Sequence, residues 1–321
     1  MKLTEQPLYL LLKTARPRQW IKNLSVYATL FFTGFLFYVP ADGPSYFAVV
    51  SLAFIVFCFL TSSVYIINDI IDKDADKHHP FKNKRPIASG ALPIPIALFG
   101  AGTALAIVFF LSIWLPFFFK LLVLAYLGLQ WTYAKYLKHI PILDVVSIAS
   151  GFLIRVYAGA VVVNLHMSVW FLLTVISISL FLAVGKRQSE RTLMSGKDAT
   201  LMGNTRKILL RYSQRLLDQY TGMFATATWL TYAIFTFQNQ IVTPTSAFSV
   251  LYTLLPKTLH TQKLLMLTLP FVIFGVMRYL QLIYENNEGE SPERVLLGDK
   301  PLLGTVFFFG VVSFLVIYVV G

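Results

Sequence analysis

The residues best equipped for chemistry lie in one short stretch, Asn68-Asp69-Ile70-Ile71-Asp72-Lys73-Asp74-Ala75-Asp76. It follows an apolar run ending in Tyr65-Ile66-Ile67. A helix continuing through the stretch places Asp69, Asp72 and Asp76 at i, i+3 and i+7 on one face. Three carboxylates stacked on that face repel one another unless they share a cation. Mg²⁺ is the expected cation, because it favours carboxylate oxygens and keeps positions open for water and substrate phosphates. Asp74 points away from this face, as a solvated partner of nearby lysines. The competing interpretation is an ordinary polar loop with helix-breaking acids.

The next residues, His78-His79-Pro80-Phe81-Lys82-Asn83-Lys84-Arg85-Pro86, supply cations, Lys84 and Arg85 among them, for phosphate oxygens that the metal leaves uncovered. His78 and His79 are neighbours and cannot both face one site on a helix, so loop or phosphate contacts are expected of them. Arg155 lies about four turns into an apolar run, where a charge is costly unless it faces a polar interior. A structural pairing with backbone carbonyls would serve it equally well. Lys186, Arg187 and Glu190 follow at i, i+1 and i+4, so Lys186 and Glu190 share a face with Arg187 on the flank. They are expected to grip phosphate with Glu190 as orienter; the alternative is a stop-transfer cluster. Arg278 is a further phosphate candidate.

The elements that must position these residues follow from composition. Of 321 residues 56% are hydrophobic and 13% charged, too apolar for a soluble domain to cover its surface. The expected fold is all-α: a polytopic membrane protein, read as a single integral-membrane catalytic domain over residues 1–321. Apolar runs long enough to cross about 30 Å of hydrocarbon predict nine spans. They fall near 21–39, 46–67, 92–113, 116–134, 142–163, 167–185, 222–238, 263–284 and 301–320. Residues 1–20 are predicted to form a cytoplasmic amphipathic arm without a cleaved signal sequence, and residues 68–91 and 186–221 to form cytoplasmic active-site loops. Lys and Arg concentrate in the loops on the side of the N-terminus, which puts that side in the cytoplasm and the C-terminus outside an inner (plasma) membrane. The acids gather on the same side, which the charge rule does not explain and cation binding does. Cys58 is alone and sits in an apolar run, so neither a disulfide framework nor a cysteine metal site is available.

An NDxxDxxxD motif after the second of nine spans resembles the UbiA superfamily of intramembrane prenyltransferases. Further stretches resemble its decaprenyl-phosphate phosphoribosyltransferase branch: Arg16-Pro17-Arg18-Gln19-Trp20-Ile21-Lys22-Asn23, Lys84-Arg85-Pro86-Ile87-Ala88-Ser89-Gly90, Leu143-Asp144, Ser150-Gly151-Phe152-Leu153-Ile154-Arg155 and Gly185-Lys186-Arg187-Gln188-Ser189-Glu190. The prenyl-transferring relatives resemble one another in a second aspartate-rich motif after span 6. Here that end carries one acid and two cations, which suits phosphate bound directly.

The resemblance implies a nine-helix UbiA-like bundle with a cytoplasmic-side active site. It implies Mg²⁺-dependent transfer of 5-phosphoribosyl from phosphoribosyl diphosphate (PRPP) to a polyprenyl phosphate, with release of diphosphate. Asn68 would orient the first carboxylate or contact ribose, and Lys22 with Asn23 would approach the mouth from the arm. Lys22 as a snorkelling interfacial lysine is the bland alternative. Tyr133 and Lys138 would contact phosphate, and Asp144 a sugar hydroxyl or a cation, against the alternative of an interfacial belt of aromatic and basic residues.

Two rival functions share parts of this pattern. One is transfer of a prenyl group from a prenyl diphosphate to an aromatic or other acceptor. The other is a lipid-binding protein or transporter without catalysis, which the lack of an acidic relay across the spans disfavours. The net charge of +12 follows from the loop bias, so nucleic acid is not an expected partner. The expected partners are PRPP, polyprenyl phosphate and membrane lipid, and a homo-oligomer is compatible with the pattern.

Overall fold

The computed structural model describes residues 6–77, 82–194, 212–239, 263–285 and 292–320, all helices and their connections. The chain divides into two compact units, Met1–His166 with Leu193–Tyr212 and Met167–Thr192 with Ser213–Gly321. Among the described residues seven segments are long and apolar enough to cross a membrane: Tyr46–Ile71, Ile94–Ser112, Phe117–Lys135, Leu143–Val162, Val169–Thr192, Leu264–Tyr284 and Lys300–Val320.

The first unit runs α1 (Pro7–Ala15), a 3-10 segment (Pro17–Tyr27), α2 (Ala28–Phe32), α3 (Tyr46–Ile71), α4 (Lys73–Lys77), α5 (Ile94–Ser112), α6 (Phe117–Lys135), a 3-10 turn (Leu137–His139) and α7 (Leu143–Val162). The span predicted at 21–39 is therefore not one α-helix. Its polar residues bond to α3 instead of facing lipid: the Trp20 indole N–H donates to Ser62 Oγ at 3.0 Å, and the Asn23 amide to Thr61 Oγ1 at 3.2 Å. The segment lies so close to α7 that a Cβ on Gly159 would stand 1.8 Å from the Val26 carbonyl oxygen. Around this contact Val26, Leu30, Val56, Phe57, Phe119 and Tyr126 form a buried core. The Phe57 ring meets those of Phe119 and Tyr126 edge-on, an arrangement that adds attraction beyond area burial. A second cluster seats Leu10 of α1 against Ile66, Ile87, Leu92, Ala97 and Ala101.

The second unit contains α8 (Val169–Met194), α9 (Gln214–Gln238), a 3-10 turn (Leu264–Thr268) leading into α10 (Leu269–Tyr284), α11 (Pro292–Gly298) and α12 (Lys300–Phe314), whose end widens into a π-helix (Leu315–Val320). Phe181, Ala225, Val276, Tyr279, Leu282 and Leu302 form its core. Ser213 caps α9 by accepting from the Leu216 N–H at 3.2 Å. This helix covers the span predicted at 222–238 and starts earlier, yet it is not among the seven apolar spans. Thr221, Thr228 and Thr231 on it each donate to the carbonyl four residues back at 2.7 Å, which satisfies their hydroxyls inside an apolar layer.

Candidate active site

Asp69 sits in the last turn of α3, 3% exposed. A buried carboxylate at the negative end of a 26-residue helix is disfavoured twice, by lost solvation and by the helix dipole, and requires cations. Arg16 supplies one, its Nη2 2.5 Å from Asp69 Oδ1, and Arg85 another, its Nη1 3.1 Å from the same oxygen. That Arg85 nitrogen also donates to Asp76 Oδ2 at 2.5 Å, so one guanidinium joins two buried carboxylates. Lys82 approaches the other Asp76 oxygen at 4.0 Å.

The three aspartates do not share a helical face as the sequence predicts. α3 stops at Ile71, and Asp72 caps it, its N–H donating to the carbonyls of Asn68 and Ile70. The break turns Asp72 toward Lys138, whose Nζ donates to Asp72 Oδ1 at 2.8 Å, while Asp69 and Asp76 meet at Arg85. Among the described residues no group of three or more His, Cys, Asp or Glu is arranged to hold a metal ion. Asp69 and Asp76 nevertheless come close enough to touch a single nitrogen. Hard oxygen donors at a helix end that favours cations fit a divalent ion standing where the guanidinium now stands.

Arg16, the residue that reaches Asp69, has φ 54° and ψ 59° directly before Pro17. Side chains rarely adopt this left-handed conformation, and a following proline disfavours it further. A second strained residue flanks Lys138: Ile142, β-branched, has φ 71° and ψ −50°. Its N–H donates to the Tyr212 hydroxyl at 2.5 Å, and that hydroxyl donates to Asp144 Oδ1 at 2.5 Å. Asp144 is completely buried and Tyr212 is 1% exposed.

Arg155 is buried within α7 and surrounded by neutral acceptors. Its Nε donates to Asn23 Oδ1 at 2.8 Å, Nη1 to the Gly151 carbonyl at 2.8 Å and Nη2 to the Tyr126 hydroxyl at 2.7 Å. The guanidinium also lies over the rings of Tyr126 and Phe152. Arg155 and Asn23 thus form one polar knot tying the 3-10 segment to α3, α6 and α7.

In the second unit, at the end of α8, Glu190 accepts from Arg187, and both are buried. The i, i+3 contact draws Arg187 inward, where its charge needs the carboxylate. Gln188 donates to Asp218 Oδ1 at 2.6 Å, and the Tyr284 hydroxyl to the same oxygen at 3.0 Å. Arg278 makes a forked pair with Asp299, at 3.2 Å from Nε and 2.7 Å from Nη2, and Asp299 also caps α12 through the Leu302 N–H at 2.9 Å. The Arg278 guanidinium and this cap hold the Asp299 carboxyl below the usual carboxylate range.

Of the residues singled out from sequence, Asp69, Asp76 and Arg85 lie in one ion-paired network with Arg16, and Asp72 pairs separately with Lys138. Asn68 and Lys22 are half-buried in the same unit, as is Tyr133; Lys84 is exposed. Asn23, Asp144 and Arg155 are buried one layer further in. His78 and His79 lie outside the described residues. Arg16 went unrecognised as a partner of Asp69, and Asp299 as a partner of Arg278. The Arg16-Pro17 step, a cation at a forced bend, is the sequence signal for the first.

Residues 28–297 match the model of the UbiA prenyltransferase family. A decaprenyl-phosphate phosphoribosyltransferase of Mycolicibacterium smegmatis is 36% identical over 91% of this chain and 87% of its own length. One of Corynebacterium glutamicum is 33% identical over 91% of this chain and 82% of its own. A UbiA homolog from Archaeoglobus fulgidus, solved bound to GPP and Mg²⁺, superposes with a TM-score of 0.66 at 18% identity, covering 96% of this chain and 99% of that one.

Proposed function

The chain belongs to the UbiA prenyltransferase family, and we propose that within it this multi-pass membrane protein transfers 5-phosphoribosyl from PRPP to decaprenyl-type polyprenyl phosphate. The observation that carries this reading is the similarity, along nine-tenths of the chain, to two decaprenyl-phosphate phosphoribosyltransferases. The end of α8 supports it: where prenyl-transferring relatives resemble one another in aspartates, this chain has Lys186, a buried Arg187–Glu190 pair and Gln188.

In the transfer, the bond from ribose C1 to the diphosphate oxygen breaks and a bond from C1 to a lipid phosphate oxygen forms. Diphosphate leaves with the bonding pair. The attacking phosphate is already anionic, so no residue need take a proton, and the site needs no nucleophile–base pair. The demand is electrostatic, because negative charge grows on the leaving group as positive charge grows on the ribose.

Asp69 and Asp72, with Asp76, would hold Mg²⁺, which when bound supplies charge stabilisation to the departing diphosphate. Arg85, Arg16 and Lys138, now paired with these carboxylates, would then be available to phosphate oxygens. Lys84, Lys22 and Tyr133 would add further phosphate contacts there. Asn68, half-buried next to Asp69 in sequence, would contact ribose or orient the first carboxylate. Lys186, Arg187 and Arg278 are the cations of the second unit, with Glu190 orienting Arg187. The bias of Lys and Arg toward the loops on the side of the N-terminus supports a mouth on the cytoplasmic side, where PRPP is available.

The test is substrate choice by purified protein in lipid nanodiscs with Mg²⁺. Labelled PRPP with polyprenyl phosphate is expected to give a labelled lipid, and prenyl diphosphate with an aromatic acid no product. The reverse pattern would overturn the reading.

A further inference from the structure

We propose that Tyr212 is a positioning residue that sets Lys138 against Asp72 by clamping the strained turn between them and α7. The inference rests on the phosphoribosyltransferase reading for its kinetic consequence and on geometry alone for the clamp. Tyr212 lies 70 residues beyond Ile142, yet its hydroxyl sits inside the turn that opens α7, accepting from the Ile142 N–H and donating to Asp144. Ile142 is β-branched at φ 71°, a conformation that persists only where surrounding contacts over-determine it. Residues 140–144 offer few such contacts of their own: Ile140, Ile142 and Leu143 expose large apolar surface. The buried anchor of the turn is Asp144 with Tyr212.

Backbone hydrogen bonds carry the constraint to Lys138. The Asp144 N–H donates to the Ile140 carbonyl at 3.2 Å, and the Ile140 N–H to the Leu137 carbonyl at 3.1 Å. The His139 N–H closes the same 3-10 turn on the Tyr136 carbonyl at 3.1 Å. Lys138 stands in the middle of that turn with its ammonium on Asp72. Losing the Tyr212 hydroxyl leaves the Ile142 N–H without its acceptor and lets the turn relax toward negative φ. The lysine then moves relative to the acidic motif. Asp144, on this account, serves as the fixed acceptor of the clamp and does not reach substrate.

Two measurements on the full-length protein in nanodiscs test the inference. The first is hydrogen–deuterium exchange over residues 137–146 in wild type, Tyr212→Phe and Asp144→Asn without substrate. Both variants are expected to exchange faster there than wild type, with the rest of the first unit unchanged. This readout holds whether or not PRPP is the substrate. The second is a double-mutant cycle on turnover of PRPP. Tyr212→Phe is expected to raise KM for PRPP about tenfold, the factor set by one hydrogen bond's worth of positioning, with a smaller change in kcat, and to add nothing in a Lys138→Ala background. Unchanged exchange in both variants would overturn the clamp. Faster exchange with a KM effect that adds fully to Lys138→Ala would overturn its action through Lys138. Should wild type ignore PRPP and exchange still respond, the functional reading fails and the clamp stands. Should Tyr212→Phe not fold, Asp144→Asn, which keeps an acceptor but removes the charge, carries both measurements.

Discussion

Replacing Arg85 with methionine keeps an unbranched stem like the arginine's own and removes the guanidinium that joins Asp69 and Asp76. Both carboxylates are buried, with side chains 4% and 6% exposed, while the Arg85 side chain is 27% exposed. Breaking a fully buried ion pair by removing one partner costs about 3–5 kcal/mol. The exposure of Arg85 admits water that screens the remaining charges, which lowers the figure to about 2–3 kcal/mol. Arg16 still neutralises Asp69, so the strain falls mainly on Asp76, whose remaining cation, Lys82, is 4.0 Å away. Mg²⁺, if held by these carboxylates, would supply the positive charge that Arg85 no longer provides. Thermal unfolding in metal-free detergent is therefore expected to fall by several degrees in Arg85→Met, and millimolar Mg²⁺ to stabilise the variant more than the wild type, where the ion must first displace Arg85. Equal stability of the two proteins without metal, or equal stabilisation by Mg²⁺, would refute the exchange of guanidinium for metal.

Asp72→Ala is expected to lower turnover at least a hundredfold while leaving the thermal midpoint within about a degree, because the Asp72–Lys138 pair is partly exposed and adds little stability; assays at limiting Mg²⁺ check this. Gly159→Ala is expected to destabilise by about 3 kcal/mol or more, since the new Cβ meets backbone at Val26 that cannot rotate away, and denaturation in detergent reads the loss. The lowered pKa of Asp299 fixes the sign of a pH effect. Its pairing with Arg278 is present above the ordinary value of 3.8 and lost as pH falls through the lower folded-state value. Wild type is accordingly expected to lose thermal stability more steeply than Asp299→Asn as pH falls from neutral to below 3.8.

Much of the site was legible because charge in an apolar chain is conspicuous. The acidic motif, Arg85, Lys138 and Arg155 all stand out against spans that tolerate no idle ions. Periodicity placed α3 well and misjudged its end, because a helix pattern does not reveal that Asp72 turns its N–H back on the Asn68 and Ile70 carbonyls. The pairings that followed were invisible to spacing. Arg16 meets Asp69 across 53 positions and Tyr212 meets Asp144 across 68; both depend on where separate elements pack. On α8 the Arg187–Glu190 pair is local, yet spacing alone left Arg187 on the flank of the Glu190 face. The first predicted span is helical but is not one α-helix, again for reasons of packing. Its apolar content suited a continuous helix, whereas Trp20 and Asn23 find their hydrogen-bond partners on α3 from a 3-10 segment.

The identity of the lipid product tests the central claim most directly. Purified protein in nanodiscs is supplied with Mg²⁺, polyprenyl phosphate and PRPP carrying isotope in its ribose, and the lipids are analysed by mass spectrometry. The account predicts a polyprenyl phosphate heavier by one labelled 5-phosphoribosyl group, with one diphosphate released for each lipid formed. A lipid fraction without ribose label, together with product formed only when prenyl diphosphate and an aromatic acceptor are supplied, would contradict it.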